Sequence, residues 1–177
     1  RPLNILFVCT GNSARSILGE ALATTLSNGR LHGYSAGSHP GGKVNPYAAE
    51  LCAEMNYPAH LLRSKSWDEF SAPGAPAMDL IVTVCDSAAG EACPVWLGHP
   101  ATAHWGLPDP AAVSGSDTDK RAAFRAIRDA MAKRIAMLLV LPLETMTDAE
   151  RRTEMRHIGE IAVLDRATEI LFSVAEL

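Results

Sequence analysis

Cys9-Thr10-Gly11-Asn12-Ser13-Ala14-Arg15-Ser16 decides how this chain is read. On its amino side, residues 4–9 (Asn-Ile-Leu-Phe-Val-Cys) form a short apolar run, the pattern of a strand buried on both faces of a parallel sheet. On its carboxyl side, Ile17, Leu18, Ala21, Leu22 and Leu26 recur at helical spacing, and Asn28-Gly29 closes that helix. The octet is therefore a strand-to-helix turn. Gly11 and Asn12 tolerate the positive φ values that turn successive N–H groups inward. Those donors, with the N-terminus of the helix, make a cradle for a tetrahedral oxyanion in which Thr10, Gly11, Asn12, Ser13, Ala14, Arg15 and Ser16 are the binding residues. Arg15 adds a planar fork that matches two oxygens at once. The same field favours a thiolate, so Cys9 is expected to be nucleophilic with a depressed pKa, and the Ser16 hydroxyl to donate to its sulfur.

Outward from the octet, the chain alternates strands and helices. Residues 31–36 and 80–85 (Leu-Ile-Val-Thr-Val-Cys) predict two further strands, and 104–107 a weaker fourth. Pro46 opens a helix to about residue 55. Ser116 or Asp117 caps a long helix over 118–141, stopped at Pro142, and Thr147-Asp148-Ala149-Glu150 is a capping box for a charged last helix. This order implies an α/β fold: an open four-stranded parallel sheet with helices on both faces. The stretches 37–42, 72–77 and 88–101 read as loops, and the last of them lies at the carboxyl edge of the sheet, where such folds bind ligands.

Composition narrows the function classes. The chain has 177 residues, 47% apolar and 20% charged, so one domain with a short appendage is expected and a disordered or fibrous chain is excluded. With 16 basic against 20 acidic residues, the net charge of −4 gives no overall pull towards nucleic acid or an anionic membrane, so neither is expected as a partner. The longest apolar run, residues 135–141, is far short of the roughly 20 residues that span a bilayer. A cytoplasmic location follows, with Cys9, Cys52, Cys85 and Cys93 reduced at rest. Cys85, Cys93, His99 and His104 cluster in sequence, but their spacing lacks the Cys-x2–4-Cys knuckle of structural zinc sites, so no metal is expected. Cys52 lies on an apolar helix stripe and reads as core.

The segment from Val8 through Ser16 resembles the signature loop of the low-molecular-weight protein tyrosine phosphatase family, which includes arsenate reductases. The likeness extends through Ser35-Ala36-Gly37-Ser38 and His104-Trp105-Gly106-Leu107-Pro108-Asp109-Pro110, over roughly residues 3–143. It implies a catalytic domain over 1–143; the segment 144–177 beyond it reads as a C-terminal helical extension whose charged helix (148–158) and apolar end (170–174) suggest packing on the domain or a homodimer contact. The likeness also implies Cys9 as nucleophile, Arg15 as oxyanion clamp, Asn12 holding the loop's strained turn, Ser16 assisting the thiolate and Asp109 as general acid.

Both chemistries of the family begin with Cys9 attacking an oxyanion. A phosphatase then hydrolyses the phosphocysteine, whereas a reductase needs a second thiol. The resemblance favours the arsenate reductase branch on three grounds. Ala111-Ala112 stand where the tyrosine phosphatases carry aromatic residues; Ala14 stands where many of them have a backup cysteine; Cys85 and Cys93 flank a small-residue loop at the sheet edge that holds Cys9. No bound cofactor is implied, only an external thiol reductant. The Cys85–Cys93 interval is one residue wider than in thioredoxin-coupled reductases, so glutathione with glutaredoxin stands beside thioredoxin as that reductant. Hydrolysis of phosphotyrosine or small phosphomonoesters is the alternative.

Overall fold

The computed structural model describes residues 1–86, 96 and 98–175. Four strands, β1 (Leu3–Cys9), β2 (Leu31–Gly37), β3 (Leu80–Thr83) and β4 (Ala101–His104), form one sheet in the order β2-β1-β3-β4. Every pairing is parallel. Ile5, Leu6 and Phe7 are all fully buried, so β1 is covered on both faces, as its continuous apolar run requires. The chain leaves β1 for neighbours on either side, which places the carboxyl end of β1, at Cys9, at the switch point of the sheet.

Helix α1 (Arg15–Leu26) lies against β1 and β2 so closely that a Cβ on Gly19 would sit 2.5 Å from the Phe7 ring, and one on Gly33 would sit 2.3 Å from the Glu20 carbonyl. Asn28 and Gly29, both at positive φ, end the turn after α1. Helix α2 (Pro46–Glu54) starts with proline in its first turn, and Asn45 accepts from the Tyr47 N–H as its cap. Helix α3 (Asp117–Leu139) starts from a capping box between Ser116 and Asp119, and α4 (Asp148–Glu160) from one between Thr147 and Glu150. Helix α5 (Arg166–Ala175) follows. Between α3 and α4, the Arg30 guanidinium donates to the Leu139 and Leu141 carbonyls and pairs with Glu144, which fixes the turn at Pro142.

Two expectations shift. The fourth strand lies at 101–104, three residues earlier than the sequence reading placed it, so His104 ends the strand and Trp105-Gly106-Leu107 form the loop after it. Strand β3 ends at Thr83, which leaves Cys85 beyond the strand on the carboxyl edge. Helix α4 packs on β4: Met155 is fully buried, Trp105 Nε1 donates to the Met155 carbonyl at 2.8 Å, and a Cβ on Gly159 would stand 2.4 Å from the His104 carbonyl. Among the described residues, no helix is long and apolar enough to cross a membrane.

Candidate active site

The loop between β1 and α1 is held from outside by its own carbonyls. Ser38 N–H donates to Cys9 O, His39 N–H to Thr10 O, Gly41 N–H and Ser64 Oγ to Gly11 O, and Asn45 N–H to Ser13 O, at 2.9–3.1 Å. With the carbonyls engaged outward, the Asn12 N–H turns towards the loop's centre, as a cradle requires. Asn12 takes the positive φ, 47°, that the turn needs, and Gly11 does not. Asn12 is fully buried and pays for its strained backbone with three hydrogen bonds. Its N–H donates to Cys9 Sγ at 3.1 Å, its Nδ2 to Ser16 Oγ at 2.8 Å, and its Oδ1 accepts from the Lys65 N–H at 2.9 Å. Gly37 is required by proximity: a Cβ there would meet the Thr10 carbonyl at 2.5 Å.

Cys9 Sγ lies 2.8 Å from Ser16 Oγ. Since Asn12 Nδ2 already donates to that oxygen, the hydroxyl proton is free to point at the sulfur, as expected. Cys9 itself is buried, and that burial opposes the expected depression. Burial, the largest cause, pushes its thiol up, while the hydrogen bonds from Ser16 and Asn12 pull it down. The positive end of α1 acts in the same downward sense.

Arg15 opens α1, with its side chain 17% exposed. One guanidinium nitrogen donates to the Leu107 carbonyl at 2.7 Å, and the other lies 4.0 Å from an Asp109 carboxylate oxygen. Asp109 is half-exposed and accepts from the Ala111 N–H at 2.9 Å, capping the short turn Pro110–Ala112. The proposed clamp and the proposed acid therefore adjoin, although 94 positions separate them. Cys85 is buried, with Sγ 3.4 Å from Thr10 Oγ1, and its negative charge would push the Cys9 thiol further up. Cys93 lies outside the described residues. Cys52 is fully buried, its thiol pushed up to about 12 by burial, as suits a core residue.

Several contributors were not read from the sequence. Ser64 and Lys65 brace the loop from a segment with no motif. Beneath it lies a buried network in which Ser35 Oγ donates to Glu20 at 2.7 Å, Tyr57 Oη donates to Glu20 at 2.5 Å, and Lys65 Nζ stands 3.6 Å from the same carboxylate. Only Gly37 after a strand end gave a signal for the close approach.

The comparisons agree with this geometry. The family described as low molecular weight phosphotyrosine protein phosphatase matches residues 4–152. The arsenate reductase of Halalkalibacterium halodurans is 37% identical over 131 residues, covering 74% of this chain and 91% of that protein. The crystal structure of an arsenate reductase from Archaeoglobus fulgidus is similar at a TM-score of 0.53 and 27% identity, over 75% of this chain and 98% of that one. A thioredoxin-dependent arsenate reductase from Corynebacterium glutamicum shares the fold at a TM-score of 0.55 and 23% identity, over 77% of this chain and 60% of that longer one. With most of its length and the whole nucleophile loop inside the match, the chain belongs to the low molecular weight phosphotyrosine protein phosphatase family.

Proposed function

We propose that this protein is an arsenate reductase, with Cys9 as nucleophile, Arg15 as oxyanion clamp, Asp109 as proton donor, and Cys85 and Cys93 as the relay thiols. The observation that carries the reading is a second buried thiol, Cys85, placed against Thr10 of the nucleophile's own loop. A phosphatase has no use for it. The curated arsenate reductase at 37% identity supports the same choice.

Protonation bookkeeping accommodates the buried thiol. When Cys9 attacks hydrogen arsenate as the thiolate, the S–As bond forms, one As–O bond breaks, and that oxygen leaves as water carrying the proton that Cys9 gave up. Asp109 serves as the carrier of that proton, and the loop N–H groups and Arg15 hold the charge on the remaining oxygens. A second thiol then attacks Cys9 Sγ. The S–As bond breaks, its electron pair stays on arsenic, arsenite departs with the incoming thiol's proton, and a disulfide remains. The two electrons that reduce As(V) to As(III) come from the two sulfurs. An external thiol system, thioredoxin or glutathione with glutaredoxin, must reduce that disulfide, and a reducing compartment such as the cytoplasm suits it.

Residues 144–177 form, in this reading, an extension that shares the domain's core through α4. Exposed Ile161, Ile170 and Leu171 are the support for a homodimer contact on that extension. Hydrolysis of phosphomonoesters is the second reading, favoured by Asp109 beside Arg15, since that pair with Cys9 is the whole requirement of the phosphatase reaction. Mass spectrometry after one addition of arsenate without reductant tests the choice. A disulfide between Cys9 and Cys85 or Cys93, or between Cys85 and Cys93, is expected. Recovery of all thiols in reduced form would refute the internal relay and leave either a second thiol from solution or the phosphatase reading.

A further inference from the structure

Arg134 is an unusual core residue. It projects from the C-terminal third of α3, is 5% exposed, and has no carboxylate partner among the described residues. Its two terminal nitrogens donate to three backbone carbonyls, Gly106 O at 3.1 Å, Gly159 O at 3.2 Å and Ile161 O at 3.3 Å. Its Nε lies buried with no hydrogen-bond partner. A buried, unpaired guanidinium is an expensive way to fill space, and an apolar side chain would do that better. What the guanidinium achieves is a junction. Gly159 and Ile161 close the C-terminal end of α4, and Gly106 belongs to the loop that carries Asp109.

The carbonyl next to Gly106 in that loop, Leu107 O, is the one Arg15 holds. The Asp109 loop is thus gripped at consecutive carbonyls, by Arg15 from the nucleophile side and by Arg134 from the side of α4. Trp105, one residue earlier, anchors to α4 through Met155. We propose that Arg134 is a positioning residue for the proton donor, locking the Asp109 loop to helix α4, so that the C-terminal segment helps set the catalytic geometry. This rests on Asp109 acting as the acid.

The test uses the full chain in five forms: wild type, Asp109→Asn, Arg134→Met, Arg134→Lys and Gly159→Ala. Gly159→Ala drives a methyl against His104 O and the Trp105 ring and so displaces the end of α4, whose carbonyls Arg134 holds, while keeping the Arg134 side chain itself. Hydrogen exchange read by mass spectrometry follows the peptides over 104–113 and over 3–16. Turnover of phenyl phosphate, a poor leaving group that needs the acid, is compared with para-nitrophenyl phosphate, a good one that needs it less. Arg134→Met and Gly159→Ala are expected to raise exchange in 104–113 while leaving 3–16 protected. Both should depress kcat for phenyl phosphate at least about tenfold more than for the nitrophenyl ester, with inhibition by inorganic phosphate unchanged. Arg134→Lys should restore most of the loss. Unchanged exchange over 104–113, or equal loss on both esters without rescue by lysine, overturns the proposal. Should Arg134→Met fail to fold, Gly159→Ala against wild type carries the same comparison, with Arg134→Lys expected to stay near wild type. Failure of the underlying reading has a different signature: Asp109→Asn would then slow both esters equally, while the exchange data still decide whether Arg134 holds the loop.

Discussion

Ser16 Oγ and Cys9 Sγ stand 2.8 Å apart, and the hydroxyl oxygen is already taken by Asn12 Nδ2 at the same distance. This relay fixes the direction of the hydroxyl proton towards sulfur and opposes the burial that pushes the Cys9 thiol up. Ser16→Ala removes a cause that lowers the pKa, so the pKa must rise. A hydrogen bond to a charged group contributes about 1.5–3 kcal/mol, so the midpoint of iodoacetamide alkylation against pH should move up by about one unit or more. Alkylation at neutral pH should slow accordingly, and phosphate should protect Cys9 in both proteins. An unchanged midpoint would mean that the serine does not stabilise the thiolate.

Asp109 and Arg15 adjoin across the mouth of the loop. Asp109→Asn should slow phenyl phosphate hydrolysis by about 10²–10⁴-fold and leave the inhibition constant of phosphate within about threefold, because binding is the work of the loop and Arg15. Steady-state kinetics with phosphate as competitor checks both. Parallel losses in binding and rate would give Asp109 only the capping role it already has towards Ala111.

Glu20 is buried and accepts from Tyr57 and Ser35 with the Lys65 ammonium nearby. Removing one member of a buried charged pair strands the other, so Glu20→Gln should lower stability by about 3–5 kcal/mol. Adding Lys65→Met should recover a large part of that loss, because the stranded charge is gone. Urea midpoints of the two single variants and the double variant test this, and strict additivity would refute the coupling.

The relay thiols separate the two chemistries. Cys85→Ser and Cys93→Ser should each retain phenyl phosphate hydrolysis, for which Cys9 is the one thiol needed, and lose multiple-turnover arsenate reduction. If both variants reduce arsenate normally with glutathione and glutaredoxin, the second thiol comes from solution and the internal relay falls.

The legible parts of this chain were local ones. The apolar run of β1, the Asn28-Gly29 stop and the Thr147 capping box each act within a few residues, so their patterns survive in the sequence. Strand β4 was misplaced because Ala-Thr-Ala-His carries little β-branched or aromatic signal; its pairing with β3 supplies what the residues lack. The nucleophile loop was readable for the same local reason, and the resemblance added Asp109. Ser64, Lys65 and Arg134 were invisible because each contact joins positions distant in sequence through a backbone carbonyl or N–H, and backbone groups leave no trace in residue identity. The burial that opposes a lowered Cys9 pKa was not legible, because the loop's favourable field is local whereas burial comes from the whole fold.

The most direct test of the account is arsenite production by the purified protein, followed by separation of arsenate from arsenite, with thioredoxin and glutaredoxin systems supplied separately. Wild type should form arsenite over many turnovers with at least one of the two systems, and Cys9→Ser should form none with either. Arsenite formation that persists in Cys9→Ser, or wild type inactive with both systems, would contradict it.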